Sequence, residues 1–229
     1  MAETRPLCIL LVAAEASGDT LGARLAAAIR RRLGDKVRFV GVGGAQMAAQ
    51  GVASPFDINQ LSVLGLIEGL AAYPRVVARV RDTLDLARRE RPDVAVLIDS
   101  WGFTLRVARG LKRAMPDMPV IKYVGPQVWA SRPGRAATLA ATVDHLLTIH
   151  AFDAPLFQAH GLTTTFVGNP VLARVFPTVE PAALREALGA RADAPVLLVA
   201  PGSRPSEIAR MSAPFGDAVG LLAKRYPDL

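Results

Sequence analysis

Short continuous apolar runs recur along this chain, each closed by a polar or glycine-bearing loop and followed by a segment with helical spacing. Residues 7–14 form the first run and 94–98 a later one. A run that is apolar at every position, rather than at alternate ones, suits a strand covered on both faces. The pattern predicts strands over 7–14, 37–42, 94–98, 120–124, 145–149 and 165–167. It predicts helices over 21–33, 45–50, 73–91, 103–115 and 135–141. Strands alternating with helices dictate an α/β fold, a doubly wound parallel sheet with right-handed crossovers.

The 229 residues are 51% hydrophobic and 21% charged, a globular composition with enough apolar material for a sizeable core. With 27 Lys+Arg against 20 Asp+Glu, the net charge of +7 favours anionic partners: nucleic acid, phosphorylated metabolites or acidic lipid. Nucleic acid is disfavoured. No helix-turn-helix, RRM or zinc pattern is present, and the arginine-bearing helix also carries Asp82, Asp85 and Glu90. The sole cysteine, Cys8, lies in an apolar run and reads as a small buried hydrophobe in a reducing compartment. His145, His150 and His160 have neither an i,i+4 pair nor cysteine partners, so a metal site has no support. No apolar run reaches the roughly 18 to 20 residues of a membrane span. Residues 7–14 imitate a signal-peptide core, but Arg5 alone leads them and Glu3 offsets its charge. They are better used as the first strand.

A boundary is expected after the first domain, residues 1–170. Residues 171–194 read as a proline-bearing linker with one helix over 180–188. Residues 195–229 read as a strand over 196–200, a loop and a helix over 207–226. A lone strand and helix have no sheet partners, so this stretch either docks on the first domain or, the reading preferred here, is the start of an incomplete second domain.

Parallel sheets bind ligands at the carboxyl ends of their strands, which directs attention to five loops. Glu15-Ala16-Ser17-Gly18-Asp19-Thr20 follows the first strand. Capping of backbone N–H groups explains Ser17, Asp19 and Thr20 but not Glu15, and the small residues at a helix start also suit a polar ligand. Gly41-Val42-Gly43-Gly44 fails as a dinucleotide fingerprint, because Gln46 holds the third glycine position. In Asp99-Ser100-Trp101-Gly102-Phe103-Thr104, Asp99 is placed either as a general base or as a helix cap. After residues 120–124, Trp129 offers a flat apolar face and Arg132 a charge-assisted donor, suited to a sugar or phosphate; a core tryptophan with a solvated arginine is the other reading. Pro201-Gly202-Ser203-Arg204, with Glu207 beyond, joins a strand to a helix as a phosphate grip does. Finally Val63, Leu64, Leu66, Ile67 and Leu70 precede a helix bearing Arg75, Arg79, Arg81, Arg88, Arg89 and Arg91. This is either a core helix with a solvated face or an apolar patch for an acidic membrane.

Together these loops resemble the lipid-A-disaccharide synthase family of bacterial glycosyltransferases. Glu15 to Asp19, Asp99 to Thr104, Gln127 to Ala130 with Arg132, Phe166-Val167-Gly168-Asn169-Pro170 and Pro201 to Arg204 match that family's elements in order. Thr104, Gly125, Ser131 and Asn169 stand where the family usually has Asn, Ser, Trp and His. The resemblance implies a GT-B fold, two Rossmann-like domains facing a cleft. It implies an inverting transfer that joins UDP-2,3-diacylglucosamine to 2,3-diacylglucosamine 1-phosphate and releases UDP, without cofactor or metal. It puts Asp99 forward as the base. Glu15, Ser17, Gly18 and Asp19 become acceptor-side residues, Trp129, Arg132 and Asn169 further substrate-binding residues, and Gly202, Ser203, Arg204 and Glu207 diphosphate binders. It gives the patch from Val63 to Leu70 work at the anionic inner-membrane surface, from the cytoplasm. The departures motivate a different class, a non-catalytic nucleotide-sugar-binding relative or a UDP-sugar epimerase of the same architecture.

Overall fold

A computed structural model of the chain describes residues 5–61, 66–172, 178, 180–202 and 205–227; for 66–72 and 205–206 it describes the helical backbone alone. The chain divides into two compact units, Met1–Ala173 and Arg174–Leu229. In the first unit the elements run β1 (Leu7–Ala13), α1 (Ala16–Leu33), β2 (Val37–Val42), α2 (Ala45–Ala48), α3 (Leu66–Glu90) and β3 (Val94–Ile98). They continue α4 (Trp101–Ala114), β4 (Val120–Tyr123), α5 (Arg135–Ala140), β5 (His145–Thr148), α6 (Ala154–Gln158) and β6 (Thr163–Phe166). The second unit carries α7 (Pro181–Ala187) and α8 (Pro205–Arg225).

All six strands pair in parallel, in the order β2-β1-β3-β4-β5-β6. Alternate residues of β1 feed two separate cores. Leu10 and Val12 face Leu97, Val107, Leu111 and Leu146 on one side of the sheet. Ile9, Leu11 and Ala13 face Ala23, Ala26, Met47 and Phe39 on the other. This is why β1 is apolar throughout, and each fully buried leucine contributes about 1.5–3 kcal/mol.

Two glycines set the spacing of the layers. A Cβ at Gly22 would stand 2.5 Å from Met47 Sδ and 2.9 Å from Ile98 Cδ1, so α1 lies close upon the sheet only because that atom is missing. A Cβ at Gly41 would stand 1.8 Å from the Leu11 carbonyl oxygen, which belongs to backbone and cannot swing aside. Gly41→Ala is therefore expected to cost about 3 kcal/mol or more. Urea unfolding of the chain measures this, and a loss below about 1 kcal/mol would show that β1 and β2 can separate cheaply.

The structure corrects three expectations. Residues 16–20 are the first turn of α1 rather than a loop. Gly18 and Thr20 read as turn signals, but packing of the helix on the sheet overrides their low propensity. Helix α6, with Pro155 in its first turn, was not predicted; it is five residues long, too short to show a period. Residues 196–200 form no strand. Val196, Leu197, Leu198 and Val199 are 41–87% exposed, because among the described residues of the second unit there is no strand to pair with.

Candidate functional site

Strands β1 and β3 are neighbours, and the connection leaving β1 runs to β2 while that leaving β3 runs the opposite way to β4. Such a switch point opens a crevice at the carboxyl ends of the two strands. Ala13 pairs with Ile98, which sets the residues that follow, Ala14-Glu15 and Asp99-Ser100, next to one another. The first turn of α1 closes on the same place. A Cβ at Gly18 would sit 3.6 Å from the Ile98 carbonyl oxygen.

Within the Glu15–Asp19 element the residues divide their work. Glu15, extended at φ −145° and ψ 160°, occupies the N-cap position of α1 and is half-buried. Ser17 is exposed. Asp19 is 4% exposed and does not cap its own helix. Its carboxylate accepts the backbone N–H groups of Gly44 (2.8 Å), Gln46 (2.9 Å) and Met47 (3.0 Å), and so caps α2, more than 20 residues further along the chain. The Gly43-Gly44 turn is thereby held beside the crevice. A Cβ at Gly44 would meet Asp19 Oδ2 at 2.7 Å.

The chain leaves β3 through two left-handed residues, Asp99 at φ 47° and Ser100 at φ 42°. Neither is glycine, and each such residue costs about 1–3 kcal/mol. Ser100 holds the N-cap position of α4 but makes no side-chain cap bond, so capping does not account for this loop. Asp99 is half-buried at the carboxyl end of β3, and its N–H donates to the Tyr123 carbonyl at 2.9 Å. Thr104 is buried behind it, its hydroxyl within reach of the carbonyls of Asp99 (2.9 Å) and Ser100 (2.6 Å).

Lys122, which the sequence reading passed over, completes this arrangement. It lies in β4 in register between Leu97 and Leu146 and is 3% exposed. Its ammonium donates to the Asp99 carbonyl and, at 2.8 Å, to Thr104 Oγ1. Burial pulls its pKa down to about 7, against the attraction of Asp99. The signal was available: one lysine interrupts the apolar run over 120–124, in a strand covered on both faces.

The loops after β4, β5 and β6 lie at the same end of the sheet. Trp129 is 53% exposed and meets Phe152 edge-on at 5.7 Å, and His150 stacks on Phe152 at 5.2 Å. His150 and Phe152 were not singled out in the sequence, where no spacing ties them to Trp129. Arg132 is exposed, with φ 55°. Asn169 is half-buried and turned inward on its own loop, its Oδ1 accepting the Val171 N–H at 3.0 Å. Arg24 of α1 donates to the Pro170 carbonyl at 3.2 Å and draws this segment towards the helix.

In the second unit Gly202, at φ 127°, lies against Glu207 in the first turn of α8; a Cβ there would stand 2.6 Å from Glu207 Cβ. Ser203 and Arg204 lie outside the described residues, as do Val63 and Leu64. Leu66, Ile67 and Leu70 fall on the backbone of α3, with side chains outside the described set.

A parallel six-stranded sheet with this switch point and this ring of loops defines a Rossmann-like α/β protein. Solved structures agree on the fold. The chain superposes on UDP-GlcNAc 2-epimerase from Neisseria meningitidis, bound to UDP-GlcNAc, with a TM-score of 0.59 at 12% identity, covering 98% of this chain and 64% of that one. A second UDP-N-acetylglucosamine 2-epimerase gives 0.57 at 10% identity, covering 79% of this chain and 55% of that one. At such identities the likeness shows the fold alone. The family is shown by sequence: the lipid-A-disaccharide synthetase profile matches residues 9–229, and the chain belongs to that family. It is 45% identical to the lipid-A-disaccharide synthase of Paramagnetospirillum magneticum over 97% of this chain and 57% of that one. It is 44% identical to that of Rhodospirillum centenum over 98% and 56%. The chain thus spans little more than half the length of the curated relatives it matches.

Proposed function

We propose that this chain supplies the acceptor side of an inverting glycosyltransferase that joins UDP-2,3-diacylglucosamine to 2,3-diacylglucosamine 1-phosphate. The observation that carries the reading is Asp99, half-buried at the switch point on a strained turn, in a chain of this family. Its carboxylate takes the proton of the acceptor 6-hydroxyl while that oxygen attacks the anomeric carbon. The anomeric carbon's bond to the diphosphate oxygen breaks, and UDP departs with the electron pair. One displacement inverts the centre, and general-base assistance contributes about 100- to 10,000-fold. Glu15, Ser17 and Gly18 shape the crevice beside Asp99, and Trp129, Arg132 and Asn169 extend it. Gly202, Ser203, Arg204 and Glu207 bind the diphosphate, whose developing charge needs donors and a cation.

The test joins this chain to the part of the Paramagnetospirillum magneticum relative that it does not cover and supplies both sugars. One UDP released per disaccharide phosphate formed is the expected result. A folded chimaera that instead epimerises the UDP-sugar, or binds it without transfer, overturns the reading. The chain alone is expected to show no turnover.

Among the described residues no helix is long and apolar enough to cross a membrane. We place the protein at the cytoplasmic face of the inner membrane, held by Val63, Leu64, Leu66, Ile67 and Leu70 beside the arginines of α3. Replacing Leu64, Leu66 and Ile67 with serine is expected to release it from anionic vesicles in a sedimentation assay. Unchanged partitioning would assign those side chains to a core.

A further inference from the structure

The crevice residue Asp99 is fixed by its neighbour strand from two directions. Ahead of it, its own N–H is tied to the Tyr123 carbonyl of β4. Behind it, its carbonyl is tied to Lys122 of the same strand. Between these two ties the chain turns through two consecutive left-handed, non-glycine residues.

The hydrogen bonds of this turn converge on Thr104, whose N–H also donates to the Ser100 carbonyl at 3.2 Å. The Thr104 hydroxyl faces two carbonyls, Ser100 at 2.6 Å and Asp99 at 2.9 Å, but has a single proton to give. Lys122 resolves the competition. It donates to the Asp99 carbonyl and to Thr104 Oγ1, which leaves the hydroxyl proton for Ser100. Both carbonyls of the strained turn are then satisfied, and neither can rotate without stranding a buried donor. Leu97, Trp101, Leu105, Ala108, Leu139 and Val143 line the same small pocket as Lys122, and the charge that acts on its amine is the Asp99 carboxylate.

We propose that Lys122 is a positioning residue for the transfer reaction: through the Asp99 carbonyl and Thr104 it locks the Asp99–Ser100 turn left-handed and so holds the Asp99 carboxylate at the mouth of the crevice. The role rests on the reading of Asp99 as base, but the locking of the turn does not. Lys122 itself touches no substrate. The side chain is retained despite the desolvation that lowers its pKa to about 7, a burden that an apolar residue of the same length would remove.

Lys122→Met, in the chimaera described above, tests this. The variant is expected to melt at the same temperature or higher. Its kcat is expected to fall about 10- to 100-fold, as a small misplacement of a reacting group does, with KM for both sugars within about threefold. Thr104→Val should reproduce that loss, and Thr104→Ser, which keeps the hydroxyl, should lie much nearer the parent. The double variant Lys122→Met/Thr104→Val should be no worse than either single one, because both cut the same link. A lower melting temperature with unchanged kcat per folded molecule would make Lys122 a merely structural residue and overturn the proposal, as would an effect confined to KM. A second readout needs no activity. In the 229-residue chain, the Cα and Cβ chemical shifts of Asp99 and Ser100 should leave their left-handed values in Lys122→Met; unchanged shifts overturn the locking. The two readings fail separately. A turnover-competent Asp99→Asn removes the base while the shifts still decide the lock. A dead Asp99→Asn beside a fully active Lys122→Met removes the lock alone.

Discussion

Asp99→Asn is expected to lower kcat of the chimaeric enzyme by about 100- to 10,000-fold while leaving its melting temperature within a few degrees. The substitution is unusually clean at this position. Asparagine is among the few side chains that tolerate left-handed backbone, so φ 47° adds no new strain. Every hydrogen bond identified at residue 99 runs through its backbone, to Tyr123, Thr104 and Lys122, and all three survive the change. What is lost is the ability to accept a proton from a sugar hydroxyl, together with the carboxylate's attraction for the buried Lys122 ammonium. Steady-state kinetics with both sugars, beside a thermal melt, separates this from misfolding. A well-folded variant with full turnover would move the base to another residue, and half-buried Glu15, across the switch point, would be the first to examine.

The largest loss of stability from a single polar side chain is expected at Asp19. Asp19→Ala removes the acceptor of three backbone N–H groups at once. The Met47 amide is buried and finds no water, whereas those of Gly44 and Gln46 lie nearer the surface and recover part of their loss. Unmade bonds of this kind cost about 1–3 kcal/mol each, so a total of about 4 kcal/mol and a fall in melting temperature of about 10 °C are expected. Met47, wholly buried against Gly22 and Gly43, loosens with the end of α2. Asp19→Asn should recover part of the loss, since its Oδ1 can still accept the Gly44 and Met47 N–H groups while its amide nitrogen turns a donor towards the Gln46 N–H. Calorimetry on the chain decides. A fall below about 2 °C, with weakened acceptor binding in the chimaera, would make Asp19 a substrate ligand rather than the anchor of the Gly43-Gly44 turn.

Lys122 carries the largest electrostatic cost described in the first unit. Its pKa lies near 7 when folded, below the ordinary lysine value of 10.5. Between those values the unfolded chain binds a proton that the folded one does not, so this residue's contribution to stability improves as pH rises through that window. At and below neutrality the penalty is present almost in full, roughly 4 to 5 kcal/mol. The amine's two hydrogen bonds, to the Asp99 carbonyl and to Thr104 Oγ1, are the geometric ground for its role in the site.

Much of the fold could be read from single residues and their spacing. Val37–Val42 and Val94–Ile98 coincide with the strands expected there, and the other four strands lie within two residues of expectation. Helices were less legible at their starts. Helix α1 begins at Ala16 rather than 21, and α3 runs through Pro74 back to Leu66. In α1, turn signals at Gly18 and Thr20 were overruled by packing of the helix on the sheet. The expected strand over 196–200 failed for a reason the sequence already contained, the want of a partner.

The site divides along the same line. Burial and period are properties of neighbouring residues, and they determined the order of strands and helices, the all-parallel sheet and the loops where chemistry could sit. The family motifs, read in line, also named Asp99. Only the tertiary structure decided what meets what. Strand order brings Glu15 beside Asp99 across more than 80 residues of chain, sends Asp19 to cap a helix other than its own, and slides Lys122 beneath the turn it holds. Such contacts arise from crossovers that close long loops, and no local pattern records which distant backbone group a buried side chain will satisfy.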